Sequence, residues 1–360
     1  MIRSILYIRG CFGVVFFLCL ATPLSAAPRA KNVVLFLADG GGLPTVNAAS
    51  ILGYGKPRAL YIQNMPYIGL AETSSASSWV SDSAASMTAI MTGEKTHNGV
   101  ISQSAEAERG VKDGRVLKTL LEYAEERGLS TGVISNSSLA DATPAACYAH
   151  ANDRNKHGEI FLQVLKPRFG NGIDVMIGLG RKSVLEKTAA LGVNLSVELP
   201  KKGLSLVDSL TAVANLPGRT QRFVALSDEE FEIPRAVELA LQILSRNSKG
   251  FFLMVESNTH SESPKQDLDR MVAFDRAVRQ TAERLRRDTL ILVTADHSHD
   301  LRLTKGKKGE DILPLIRVSG GTHTAEEVLV SAEGPGAERV KGILPNTELF
   351  HIMMGAFGWK

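Results

Sequence analysis

Three short apolar runs in this chain each stop on a carboxylate, and no other feature constrains the fold as strongly. The run from Lys31 to Ala38 ends at Asp39 and three glycines, the run from Lys249 to Val255 ends at Glu256, and the run from Thr289 to Ala295 delivers Asp296 and His297. Runs of this length, rich in β-branched and aromatic residues, read as buried strands. Helix-like segments separate them, so the expected class is α/β: a three-layer sandwich with a central, mostly parallel sheet and helices on both faces. In such sheets, polar residues at the carboxyl ends of strands face one crevice. Asp39, Glu256, Asp296 and His297 are therefore expected to meet. A plain Asp-Gly turn would account for Asp39 alone, but not for the recurrence.

The remaining pattern is consistent with this frame. Further strands are expected at Ser130 to Ser135 and Ile173 to Gly180, with a weaker one from Arg222 to Leu226. An amphipathic helix is expected from Val116 to Arg127, stopped by Gly128. Another should open at Asp141-Ala-Thr-Pro144 and run through Ala149, His150 and Arg154, with more from about Pro234 to Ser245, Lys265 to Arg287 and Thr347 to Gly355. No repeat or low-complexity linker divides residues 28–360, so one catalytic domain is expected.

The first 27 residues differ in kind. Arg3 and Arg9 precede an apolar stretch from Cys11 to Ala21, and small residues from Leu24 to Ala27 follow, the order of a secretory signal peptide. The apolar run is shorter than the roughly 20 residues a membrane span needs. The expected product is secreted or periplasmic, without a stable membrane anchor. Cys11 and Cys19 leave with the signal, so Cys147 stands alone and no intramolecular disulfide can form. A formal charge of +3 with no long basic run excludes nucleic acid as a specific partner and directs attention to a small molecule.

Ser83 stands directly before Ala84, Ala85, Met87, Ala89, Ile90 and Met91, helix-compatible residues that stop at Gly93. That places it at or near a helix N-terminus, where unpaired N–H groups and the helix dipole favour an anion such as phosphate. Asp82 or Ser83 acting only as a helix cap is the competing reading. Hard carboxylates with imidazoles suit Zn²⁺, Mg²⁺ or Mn²⁺. A serine beside such ions can be ionised and attack phosphorus.

With these residues assembled, the chain resembles the alkaline phosphatase family over nearly all of residues 28–360. The matching segments are Lys31 to Gly40, Asp82 to Ser86 with Thr92-Gly93, Asp141 to Ala145 with Ala149-His150 and Arg154, Gly250 to Glu256, Thr294 to His297, and His323 to Glu327. The resemblance implies that Ser83 is the nucleophile and forms a phosphoserine, and that Asp39, Asp296 and His297 hold the Zn²⁺ that activates it. It implies that Asp39 also reaches a Mg²⁺ site completed by Thr143 and Glu256, with Asp141 close by. Arg154 would clamp the phosphate with two parallel hydrogen bonds. His323 would serve a second Zn²⁺.

At one place the match fails. The family carries an aspartate five residues and a histidine nine residues after the glutamate, both ligands of the second zinc; here those offsets hold Ser261 and Lys265. Counting back from Phe274-Asp275, which resembles the family's next helix, puts His260 at the histidine's usual distance and implies a five-residue deletion. Glu262, Asn258 or water is left to replace the aspartate, with Glu262 preferred because a carboxylate binds hard cations more strongly than an amide. His299 is expected to be exposed, and His150 to pack in the helix carrying Arg154.

The function these residues imply is metal-dependent hydrolysis of small phosphate monoesters, in a chain that could form a homodimer. A phosphodiesterase of the same superfamily and a non-catalytic phosphate- or metal-binding protein are the alternatives.

Overall fold

A computed structural model of the chain describes residues 29–218, 220–261 and 263–360. The expected signal peptide, residues 1–27, and the candidate ligand Glu262 lie outside the described residues. Among the described residues, no helix is long and apolar enough to cross a membrane.

The chain begins with β1 (Asn32–Asp39), α1 (Leu43–Tyr54), β2 (Tyr67–Glu72), α2 (Ser83–Thr92) and α3 (Leu120–Glu126). Next come β3 (Ser130–Ser138), α4 (Ala142–Tyr148), α5 (His157–Leu162), β4 (Val175–Leu179), α6 (Arg181–Ala190) and α7 (Leu195–Lys201). They are followed by β5 (Ser205–Val207), α8 (Leu210–Ala214), β6 (Phe223–Ser227), α9 (Ile233–Leu244), β7 (Phe251–Asn258) and α10 (Pro264–Leu285). The chain closes with β8 (Thr289–Thr294), β9 (Ser298–Leu303), β10 (Ile316–Thr324), β11 (Val328–Glu333), β12 (Gly342–Pro345) and α11 (Glu348–Phe357).

Ten strands form one sheet in the order β12-β2-β11-β8-β1-β7-β3-β4-β6-β5. Only β11 runs antiparallel to its neighbours, β2 and β8. All eight residues of β1 are buried because both faces of the sheet are covered, which is why its sequence reads as a continuous apolar run rather than an alternating one. Val33, Leu35 and Leu37 pack into a cluster with Met87 of α2, Leu121 of α3, Ala145 of α4 and Phe350 of α11. Val34 and Phe36 pack on the opposite face with Ala49 of α1, Val237 of α9 and Met271 of α10. Phe36 meets Phe274 edge-on, with ring centroids 5.7 Å apart. The three layers are those expected.

Two expected helices change their bounds. The helix opened by Asp141 stops at Tyr148 rather than running through Arg154, because Ala149 is extended and Ala151 pairs with Ile101 in a short antiparallel bridge. His150 therefore leaves the helix, and its ring meets Ser102 O at 2.8 Å and Glu122 Oε1 at 3.0 Å. The helix expected from Val116 begins at Leu120 instead: Thr119 and Glu122 exchange side-chain and backbone bonds in a capping box. β9 and β10 form a separate antiparallel pair, with an irregularity between Val318 and His323. This pair carries His299 and His323 to the carboxyl edge of the large sheet.

Candidate metal and phosphate site

Register decides which strand ends meet. β1 lies between β7 and β8, with Asp39 level with Asn258 and Leu37 level with Glu256. Beyond β8, Asp296 reaches back across β1, and its Oδ1 accepts the N–H groups of Gly40 at 3.2 Å and His297 at 2.9 Å. Gly40 has a positive φ of 69°, and a Cβ built there would lie 2.5 Å from the His260 ring. Glycine lets that imidazole sit directly on the backbone.

The side chains then converge on His297. Its Nδ1–H donates to Ser298 O at 3.2 Å, so Nε2 carries the lone pair. That nitrogen stands 3.4 Å from Asp39 Oδ1, 3.3 Å from Asp296 Oδ2 and 3.4 Å from Ser83 Oγ. Burial lowers the His297 pKa to about 3, against the pull of Asp39, so the ring is neutral. Asp296 Oδ2 is buried without a hydrogen-bond partner. A lone pair and two carboxylate oxygens thus face one another, a set of donor atoms that suits a bound cation. The ligand atoms of Asp39, Asp296 and His297 all lie within 4.8 Å of one another.

A second group is built from imidazoles. His260, His297 and His323 also bring their ligand atoms within 4.8 Å of one another. The His323 ring stacks on His297 at 3.5 Å, and its Nδ1–H donates to Ser81 O at 3.0 Å, leaving Nε2 free. His260 Nε2 contacts Asp39 Oδ1 at 2.8 Å. Burial depresses the His260 pKa, but the Asp39 carboxylate outweighs it and lifts the value to about 9. Asn258 is committed elsewhere: its Oδ1 accepts the His260 N–H at 3.1 Å and its Nδ2 donates to Ser137 Oγ at 3.4 Å. It shapes the turn that presents His260.

Glu256 joins neither group among the described residues. Its Oε2 accepts the Ser135 hydroxyl, directly level with it on β3. Burial and then the Asp39 charge push its pKa well up, as burial does for Asp296. Thr143 is buried in the first turn of α4.

The serine sits where a helix begins. Asp82 is the N-cap of α2, its Oδ1 accepting Ala85 N–H at 3.0 Å, and Ser83 is the first helical residue, 4% exposed. Asp141 is the N-cap of α4, its Oδ1 accepting the N–H of the next residue, Ala142. Arg154 lies between the two caps, with Nη1 donating to Asp82 Oδ2 at 3.1 Å and Nη2 to Asp141 Oδ1 at 2.9 Å. Capping and phosphate binding were competing readings of this stretch, and geometry divides them: Asp82 caps, while Ser83 faces the cluster.

Three contributors were not foreseen. Asp82 was read only as a cap, although its second oxygen holds Arg154. Ser135 had no signal without the β3–β7 register. His299 was expected to be exposed, but it is 2% exposed and its Nδ1–H donates to Gly40 O at 2.8 Å. Its place on a strand paired to β10 buries it.

Buried acceptors that want cations, beside a serine at the start of a helix, define the class as a metal-dependent hydrolase. Comparison with known proteins gives the family. The sequence model described as "Alkaline phosphatase" matches residues 30–214 and 226–318. The tissue-nonspecific isozyme of alkaline phosphatase from Mus musculus is 30% identical over 390 residues, covering 89% of this chain and 73% of its own. The alkaline phosphatase structure from the Antarctic bacterium TAB5 is 25% identical, with a TM-score of 0.76 over 93% of this chain and all of that one. A variant of the TAB5 enzyme, described with magnesium bound, is 25% identical with a TM-score of 0.74 over 93% of this chain and 100% of its own. The chain belongs to the alkaline phosphatase family. It is a phosphatase acting on phosphate monoesters, and its Asp39, Asp296 and His297 could hold a metal ion.

Proposed function

We propose that this chain cleaves phosphate monoesters through a phosphoserine formed on Ser83. The observation that carries the reading is the convergence of Ser83 Oγ, Asp39 Oδ1 and Asp296 Oδ2 on His297 Nε2, at 3.3–3.4 Å. Asp39, Asp296 and His297 would hold one Zn²⁺. His260 and His323 would hold a second, and Asp39, Thr143 and Glu256 a Mg²⁺, with Asp141 nearby. Bound there, the ions lower the pKa of a coordinated hydroxyl or water and screen phosphoryl charge.

The chain's own groups do the rest. Ser83 Oγ gives its proton to solvent and bonds to phosphorus as the bond from phosphorus to the ester oxygen breaks, and that oxygen takes a proton from water. A water oxygen then bonds to phosphorus as the Ser83 Oγ–P bond breaks, one proton of that water returns to Ser83 Oγ, and phosphate leaves. Arg154 is held from two sides, so its remaining N–H groups are fixed for phosphate oxygens at little entropic cost. With Ala85 N–H taken by Asp82, the Ser83 and Ala84 N–H groups at the start of α2 add to the anion site.

The test is acid quenching of turnover with a ³²P-labelled aryl monoester. Label on the peptide containing Ser83 is expected, and Ser83→Ala should lower kcat by at least about 10³-fold. Undiminished turnover in that variant, or faster cleavage of a bis-aryl diester than of the monoester, would overturn the reading.

A further inference from the structure

Trp79 is 85% exposed, four residues before Ser83. Tryptophan is highly buried on average, so an indole this bare leaves a free π-face near Ser83 that a flat ring can cover. The backbone on either side of it, by contrast, is hydrogen-bonded. Ser75 N–H donates to Ser78 O and Ala76 N–H to Thr96 O, at 3.0 and 2.9 Å. Asn98 straps the segment from its other side, its Nδ2 donating to Val80 O at 3.0 Å and its Oδ1 accepting Asp82 N–H at 3.4 Å. A rigid frame thus presents a free aromatic face.

The frame also sets where that face is. Ser81 O takes the His323 N–H, and Asp82 holds Arg154. Gly99, next to Asn98, accepts the Arg154 backbone N–H at 2.8 Å. Four residues of chain put the Trp79 Cα no farther than about 14 Å from that of Ser83. Trp79 therefore lies on the strap that carries Ser83 and whose Asp82 holds Arg154, within reach of a group bonded to a phosphate at Ser83.

We propose that Trp79 is a specificity-determining residue whose indole stacks on a flat aromatic leaving group, an aryl ring or a nucleobase, while the phosphate sits at Ser83. This rests on the monoesterase reading above. Stacking tolerates any ring with a π-face, so the preference is for aromatic over aliphatic leaving groups rather than for one base.

The test compares kcat/KM for adenosine 5′-monophosphate and for an aryl phosphate, each divided by that for glycerol phosphate, in wild type and Trp79→Ala. One or both ratios should fall about tenfold, within the range seen when base–aromatic stacking is removed. Both ratios unchanged within twofold would overturn the proposal, including when Trp79→Ala alters only the sedimentation of a dimer. A second arm needs no turnover. With only two tryptophans in the chain, Trp359→Phe in a Ser83→Ala background leaves Trp79 as sole emitter. Adenosine 5′-monophosphate should quench it saturably and inorganic phosphate should reverse the quench. Binding without any change in Trp79 emission would overturn the subsite, whereas absence of monoester turnover in the wild type with quenching intact would overturn only the monoesterase reading.

Discussion

Ser83 Oγ and His297 Nε2 stand 3.4 Å apart although 214 residues separate them in the chain. Around that pair, Asp39 and Asp296 turn oxygens toward a nitrogen that has no proton to share. Such a set of converging donor atoms suits a cation, and a cation bound there only in the folded state adds to its stability.

Metal removal should therefore cost stability as well as activity. A ligand present at 100 times its Kd adds about 2.7 kcal/mol to the folded state, so chelation should lower the thermal midpoint and Zn²⁺ should restore it. In His297→Ala, calorimetry with and without chelator should show a much smaller difference. An equal difference in both proteins would place the bound metal elsewhere.

Gly40→Ala should disturb the same centre from the backbone side. The position has φ 69°, and the added methyl would meet the His260 ring. The left-handed conformation alone costs about 1–2 kcal/mol for a residue with a Cβ. Denaturant unfolding should show at least that loss. Metal titration should show weaker binding, since His260 must move off Asp39.

Arg154→Lys keeps the charge but loses the planar fork that spans Asp82 and Asp141. The inhibition constant of inorganic phosphate should rise about tenfold, the equivalent of about 1.4 kcal/mol, with the fold intact by circular dichroism. Asp82→Ala, by contrast, should cost about 1 kcal/mol of stability because it removes the α2 cap. Unchanged phosphate inhibition in Arg154→Lys would remove Arg154 from the phosphate site.

A pH effect is expected far from the site. Glu125 is 6% exposed, with Glu122 and Asp174 near it, and burial raises its pKa to about 8. The folded value lies above the ordinary one of 4.5. The folded state therefore binds the extra proton, and stability falls as pH rises from 4.5 through about 8. Glu125→Gln should match wild type near pH 4.5 and be more stable above pH 8, judged by urea midpoints across that range. A constant offset at every pH would refute the assignment.

Much of the scaffold was legible because β1, β7 and β8 are covered on both faces, and a strand buried twice must be apolar throughout. Asp39 at the end of β1 and Asp296 just beyond β8 were equally legible, since the carboxyl edge of a parallel sheet is one place, whereas the register sets Glu256 level with Leu37 and outside both groups. The signal failed where structure depends on distant partners. β9 and β10 exist through each other. α4 ends early because Ala151 finds Ile101, and nothing local to His150 announces that.

By itself, the sequence determined the local facts: which runs are strands, which residues end them, and that Ser83 starts a helix. These follow from hydrophobic period and capping chemistry within a few residues. Tertiary structure alone decided which imidazole meets which carboxylate. His260 reaches Asp39 across 221 residues because β7 lies beside β1 and Gly40 clears the way. Asn258 is spent on the turn that aims it. Strand order and close approach are properties of the packed chain, and short-range sequence patterns carry no record of them.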